Sequence, residues 1–178
     1  MKDWNVVLTS HMGEEHRLLQ EVADYGEFHR SGFREVLIGK VPDPAEFMEI
    51  LKHSWETQPF LSGILSTATP VDRLFSFSTE ELMDRLRQES LAFLPRLEGK
   101  AFYVRVKRRG HKGEISSQEV EQALDRFLLD ELAARGREGR IDFHNPDAIL
   151  FVEIIHNQCG LTVITPEMKQ RYPFIKVK

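Results

Sequence analysis

The chain has 178 residues, of which 41% are apolar and 29% charged, and a formal net charge of −4. That balance belongs to an ordinary globular protein and excludes a disordered chain or a uniformly basic, histone-like binder. A single cysteine, Cys159, excludes an intrachain disulfide and a cysteine-rich metal site, and no apolar run reaches the ~18 residues of a membrane span; the expected setting is a reducing cytoplasm, with no membrane partner.

Charge is unevenly spread. Residues 1–70 carry six Lys and Arg against eleven Asp and Glu, and residues 71–178 carry eighteen against seventeen. A polyanionic partner is therefore expected to meet the second half. The N-terminus is broken by His11, Glu14 and Glu15 and does not read as a signal peptide.

In chain order, Trp4 to Thr9 is rich in β-formers and predicts a strand. From Gly13 to Tyr25, the spacing of Leu18, Val22 and Tyr25 predicts an amphipathic helix. Two short strands are expected between Glu27 and Val41, around a turn at Ser31 and Gly32. Asp43-Pro44-Ala45-Glu46 is a strong helix start, with Phe47, Leu51 and Trp55 facing inward and an end before Pro59. Phe60 to Ser66 is expected to be the last strand and Thr67 to Pro70 a connector. The order βαββαβ predicts a ferredoxin-like domain over residues 1–69, and residues 70–178 are expected to form a second α+β domain, for which the resemblance described below implies a mixed sheet and helices.

In that second part, Val71 to Phe77 reads as a strand. Ser78-Thr79-Glu80-Glu81 opens a helix carrying Leu82, Leu86 and Phe93, which Pro95 and Gly99 close. A strand from Lys100 to Arg108 follows. A second capping box, Ser116 to Glu119, precedes a helix whose stripe is Val120, Leu124, Phe127, Leu128 and Leu132. Three further strands are expected at Arg140–Phe143, Ala148–His156 and Leu161–Thr165, before a tail from Lys169 to Lys178 with Lys169, Arg171, Lys176 and Lys178.

The segment Phe102 to Lys112 is the most informative. Arg105, Lys107, Arg108, Arg109 and Lys112 fall within eight residues with no acid among them, and His111 lies alongside. Strand alternation puts Tyr103, Arg105, Lys107 and Arg109 on one face and Phe102, Val104 and Val106 on the other. Gly110 and Gly113 then bend the chain. Guanidinium groups and exposed turn amides are phosphate ligands, so the cluster points to the backbone of a nucleic acid. The competing reading is a solvated strand whose cations pair with Glu114 and Glu119. Arg135, Arg137 and Arg140 form a second basic group that could extend the surface.

The elements FYVRVKRRGHKGEISSQEVEQAL and IDFHNPDAILFVEI resemble the THUMP domain. The matching positions are Phe102, Val104, Arg105, Lys107 and Arg108, then Ser117, Val120 and Glu121, then Asp142, Asn145, Pro146, Asp147, Val152 and Glu153. The resemblance covers roughly residues 70–178. It implies a module that binds RNA, typically tRNA at its acceptor end with the unpaired 3′ terminus, and that commonly follows a ferredoxin-like domain. It identifies Arg105, Lys107, Arg108, Arg109 and Lys112 as backbone contacts, with His111, Arg135, Arg137 and Arg140 as further candidates.

THUMP enzymes continue into a catalytic domain, whereas this sequence ends at Lys178. It contains neither a Ser-Gly-Gly-x-Asp loop nor a G-x-G-x-x-G turn. The expectation is a non-catalytic tRNA-binding protein, without cofactor, metal or catalytic residues. It would act as adaptor for a tRNA-modifying enzyme in trans, an acetyltransferase or methyltransferase, as an inert eukaryotic THUMP protein does for a cytidine acetyltransferase. The histidines show no metal-ligand spacing. Glu153, within FVEII, is expected to pair with a strand cation such as Arg105. Two alternatives stand beside this reading: an RNA-processing enzyme using Glu153, His156 and Cys159, and a protein-interaction module that has lost RNA binding.

Overall fold

The computed structural model describes residues 1–177; Lys178 of the basic tail lies outside the described residues. The chain is α+β and divides into two compact units, Met1–Leu74 with Lys169–Lys176, and Phe75–Met168 with Val177.

The first unit is built on a four-stranded antiparallel sheet of β1 (Val6–Ser10), β2 (Glu27–Arg30), β3 (Val36–Lys40) and β4 (Leu65–Pro70), in the order β2-β3-β1-β4. With α1 (Glu15–Val22) and α2 (Pro44–Thr57) this is the expected ferredoxin-like βαββαβ arrangement. Val6, Val7 and Leu8 of the central strand are all buried, as are Leu18 and Val22 of α1 and Phe47, Met48 and Leu51 of α2. The start of α2 is set locally. Asp43 has extended backbone and accepts from the amides of Ala45 (3.0 Å) and Glu46 (3.3 Å), and Pro44 occupies the first turn.

Three positions differ from expectation. The last strand does not begin at Phe60: Pro59–Gly63 is a 3-10 turn with Phe60 exposed, and β4 runs through Thr67 to Pro70, the stretch read as a connector. Pro59 suits the start of a helical turn, and the β-branched Thr67 and Thr69 suit the strand. Tyr25 closes a 3-10 turn after α1 and is 38% exposed, so it does not extend the buried stripe of that helix. The tail packs with this unit: Arg171 grips Glu49 with two hydrogen bonds (2.8 and 2.5 Å), Tyr172 donates to the same carboxylate, and Phe174 is buried with its ring 5.6 Å from that of Trp55.

The second unit contains a mixed five-stranded sheet, β5 (Arg73–Ser76), β6 (Ala101–Arg109), β7 (Arg140–Ile141), β8 (Ala148–Ile155) and β9 (Gln158–Ile164), in the order β5-β9-β8-β6-β7. β6 runs parallel to β7 and β8, and β8 runs antiparallel to β9. Phe102, Val104 and Val106 share a core with Leu150, Val152 and Ile154, with Leu82 and Leu86 of α3 (Leu82–Ser90), with Leu94 and Leu97 of α4 (Leu94–Leu97), and with Val120, Leu124, Leu128 and Leu132 of α5 (Ser117–Ala134). β8 is buried at every position, which explains its near-continuous apolar sequence. A sixth helix, α6 (Pro166–Arg171), closes the chain's regular structure.

Two helix boundaries move. Ser78 makes no side-chain cap, Thr79–Glu81 is a 3-10 turn, and α3 starts at Leu82. Pro95 does not end a helix but sits in the first turn of α4, where its missing N–H costs nothing. At Ser116, by contrast, the hydroxyl accepts from the Glu119 amide (3.3 Å) as the capping box requires.

Candidate nucleic-acid interface

The basic segment spans β6 and the turn that follows it. β7 pairs only with Ala101 and Phe102, so from Tyr103 onward one edge of β6 is free of strand partners. Two of the edge amides are nevertheless satisfied. Val104 N–H donates to Asp125 Oδ1 (2.9 Å) and Val106 N–H to Glu121 Oε2 (2.8 Å), two carboxylates one turn apart on α5. Burial pushes the Asp125 carboxyl up to about 6, against the Val104 amide that favours its charged form.

The turn is held by hydrogen bonds at its left-handed residues. Gly110 (φ 96°), His111 (φ 57°) and Gly113 (φ 81°) reverse the chain. The His111 carbonyl accepts from Glu114 (3.0 Å) and Ile115 (3.1 Å), and its Nε2 bonds the His156 carbonyl (2.7 Å) in the β8–β9 turn. The His156 amide returns a bond to the Arg109 carbonyl (3.2 Å), and the Phe77 ring lies 5.6 Å from that of His111. His111 is therefore an anchor of the turn.

Register decides which cations remain available. In the parallel pairing Lys107 lies beside Glu153. Arg109, not Arg105, closes the ion pair with that acid: Nη1 to Oε2 is 2.5 Å, with the side chains 12% and 4% exposed. Burial raises the Glu153 carboxyl above its ordinary range, opposed by the Arg109 guanidinium. Arg108 turns back to donate to the Gly110 carbonyl. Arg105 lies 3.8 Å from Glu121, beyond hydrogen-bonding distance, is one-third exposed, and stands over the Tyr103 ring at 5.5 Å. Lys107 and Lys112 are exposed and in no ion pair among the described residues. Among the described residues, no cation of the segment pairs with Glu114 or Glu119; the acids that engage it are Glu121 and Glu153.

The second basic group stands apart. Arg140 is in register with Ala101, at the start of β6, whereas the turn begins after Arg109 at its end. Nine strand residues separate them by roughly 30 Å. Arg135 and Arg137, just before β7, are exposed and pair with Glu131 and Glu98 at 3.4 Å, contacts worth little at a surface.

The Asn-Pro-Asp element is structural. Asp147 Oδ2 accepts from the Ala101 amide (3.0 Å). Asp142 Oδ1 accepts from His144 (2.9 Å) and Asn145 (3.0 Å), and these amides hold its carboxyl below the usual range. That Asx turn takes the chain out of β7 after Ile141, short of the expected Phe143. It leaves Phe143 61% exposed with its ring 5.4 Å from Tyr103. Sequence reasoning passed over this residue; its one signal was an aromatic flanked by polar residues in a turn.

The alternative catalytic trio is not assembled. Cys159 belongs to the core face with Ile154, Glu153 points to the opposite face, and His156 is an exposed turn residue. Burial and the nearby acids raise the Cys159 thiol well above its usual range. Among the described residues, no group of three or more His, Cys, Asp or Glu could hold a metal, and no helix is long and apolar enough to cross a membrane.

The THUMP domain family model matches residues 80–164. A probable tRNA sulfurtransferase of Clostridium perfringens is 35% identical over 74 residues, 42% of this chain and 18% of that protein. The chain thus spans less than a fifth of the curated relatives it matches. Among solved structures, TrmN from Thermus thermophilus superimposes with a TM-score of 0.60 at 20% identity, covering 90% of this chain and 45% of that one. PH1313 from Pyrococcus horikoshii gives 0.57 at 15%, covering 90% and 55%. A 4-thiouridine synthetase in complex with RNA and ATP gives 0.56 at 17%, covering 91% and 41%. These likenesses establish the fold over both units.

Proposed function

We propose, from the THUMP domain that residues 80–164 of this chain form, that the protein binds tRNA through the β6 edge and the turn after it. The observation that carries this is the selective exposure of Lys107 and Lys112 on a segment whose other cations are mostly spent inside the protein. Two mobile point charges on a rigid strand and turn recognise a backbone without reading bases. The matched sulfurtransferase and the synthetase–RNA complex are RNA-directed in name, which supports tRNA as the polyanion.

The finer reading is that the chain grips the acceptor region with its unpaired 3′ end and presents a distant nucleotide to a modifying enzyme acting in trans, in the cytoplasm. The dispersed Glu153, His156 and Cys159 favour binding over turnover within these residues. Titration of tRNA at several salt concentrations tests the proposal. Affinity should fall with salt, by about 0.7 log units per phosphate contact per decade for a single-stranded region. Lys107→Ala with Lys112→Ala should weaken binding and make that slope shallower, and removal of the 3′ unpaired end should weaken it further. No binding to tRNA even at low salt would overturn the proposal.

A further inference from the structure

The helical layer of the second unit carries a cleft that the cationic strand does not share. It opens between the start of α3 and the first turns of α5, wholly within that unit, and its volume is about 250 Å³. Its floor is apolar: Leu82, Ile115 and Val120 are buried, and the half-buried Met83 and Ala123 form the walls. Its rim is acidic. Glu114 and Glu119 line the cleft, and Glu80 and Glu81 lie in the 3-10 turn that leads into it. All four are exposed and in no ion pair among the described residues, although Lys112 lies only two residues before Glu114. Phe102, Val104 and Val106 share their core with α3 and α5, so alternation directs Lys107 from the opposite face of the sheet.

We propose that this cleft docks a basic amphipathic helix of a protein partner, with an aliphatic side chain on the Leu82, Ile115 and Val120 floor and lysine or arginine against the four carboxylates. The chemistry narrows the occupant to that class. Unpaired carboxylates repel an anion, and the amides that could hold one are spent: those of Glu114 and Ile115 on the His111 carbonyl (3.0 and 3.1 Å), that of Glu119 on Ser116 (3.3 Å). The acids do not converge on a metal ion, since no group of three or more His, Cys, Asp or Glu could hold one among the described residues. The volume falls below the roughly 300–1,000 Å³ of small-molecule sites and suits one anchoring side chain. The spent amides also leave no edge for an extended strand, whereas a groove between helices receives a third helix through its apolar face. Met83, unbranched and polarizable, can repack around the anchor. The apolar anchor supplies affinity, and the rim carboxylates steer the encounter and select a basic partner. The inference rests on the proposed reading of a partner acting in trans and adds the surface and the chemistry that would hold it.

The test uses the full chain and two fluorescein-labelled synthetic helical peptides of leucine, alanine and one charged residue, with leucines along one face; one peptide carries lysine and the other glutamate. The lysine peptide should bind at low salt and the glutamate peptide should not. Glu114→Gln with Glu119→Gln should weaken the lysine peptide roughly fivefold or more, and Ala123→Leu, which fills the cleft, roughly tenfold, both with unchanged thermal melting and unchanged tRNA affinity. In methyl NMR spectra the lysine peptide should shift Met83 and leave Met12, an exposed methionine of the first unit, in place. Equal binding of the lysine peptide to the wild type and both variants, or shifts at Met12 in place of Met83, would overturn the site. So would failure of that peptide to bind a wild type that still binds tRNA, and the tRNA reading would stand. A wild type that sediments as a dimer and becomes a monomer in Ala123→Leu would assign the cleft to a second copy of the chain and overturn the basic helix. Binding of the lysine peptide with no binding of tRNA would overturn the tRNA reading and support the cleft alone.

Discussion

Replacing Glu153 with Ala strips a buried guanidinium of its partner. With the Arg109 and Glu153 side chains 12% and 4% exposed and 2.5 Å apart, neither can recover its hydration when the other is removed. Breaking one side of such a pair costs about 3–5 kcal/mol, a large share of the roughly 5–15 kcal/mol that stabilises a domain. The melting temperature should fall by about 15 °C or more. Arg109→Met leaves the carboxylate alone instead, but that group can take up a proton. Its folded pKa, already raised by burial, then rises further above the unfolded value. Stability is retained at pH below the unfolded pKa of about 4.3 and lost as pH rises through the folded one, so this variant should be closer to wild type at pH 5 than at pH 8. Arg109→Met with Glu153→Leu removes both charges and should lie within about 1–2 kcal/mol of wild type. Urea denaturation followed by far-UV circular dichroism reads all three, and a tRNA titration of the double variant completes the test. That variant should bind within about twofold of wild type. A loss below about 1 kcal/mol for Glu153→Ala would refute the structural role of the pair. So would a double variant as defective in tRNA binding as Lys107→Ala with Lys112→Ala, which would return Arg109 to the interface.

Asp125, raised to about 6 in the folded chain, binds a proton there that it releases in the unfolded chain, so its contribution weakens stability as pH rises from about 4 through about 6. Asp125→Asn keeps an acceptor for Val104 and should gain about 1–2 kcal/mol at pH 8 with no gain at pH 4, measured as urea midpoints; parallel curves at the two pH values would contradict this. Glu49 is pulled down to about 2 by the Arg171 and Tyr172 hydrogen bonds. The stabilisation is present above the ordinary carboxylate range and lost as pH falls through about 2, so amide protection factors in residues 169–176, taken relative to the intrinsic exchange rate at each pH, should fall in acid, and in Glu49→Gln should already be low at neutral pH. At Gly113 (φ 81°) an added Cβ would meet nothing within 4 Å, so Gly113→Ala costs only backbone strain, about 1 kcal/mol, seen as a small drop in urea midpoint with tRNA affinity nearly unchanged.

What could be read in the sequence was what local chemistry decides. The Asp43 and Ser116 caps form as written, because the acceptor and the amide it satisfies lie within three residues. The alternation of β6 holds for the same reason, with Phe102, Val104 and Val106 all in the core. Failures occur where distant residues decide. Whether Phe60 to Pro70 is turn or strand depends on pairing with β1, which accepts Leu65 through Pro70. The density of cations in β6 overstated the free charge, because the acid that neutralises Arg109 lies 44 residues away and only the parallel register brings it there. Alternation identifies a face but not which rung meets a partner, so Glu153 was assigned to Arg105 in place of Arg109. Phe143 was hidden by the Asx turn that ends β7 two residues before it.

The carboxylates of Glu121 and Asp125 on the amides of β6 put negative charge beside the strand proposed to attract a polyanion, and this weakens the positive field of the candidate surface. The arrangement has a compensating effect. A strand edge rich in cations and kept accessible for RNA would otherwise offer unpaired amides to any extended chain, and sheet growth is a hazard when many copies gather on one nucleic acid. With those amides occupied, β6 can be approached through its side chains but not extended. On the proposed reading the strand presents its cationic side chains while α5 covers its amides, and an Ala at both acids should make the chain prone to self-association.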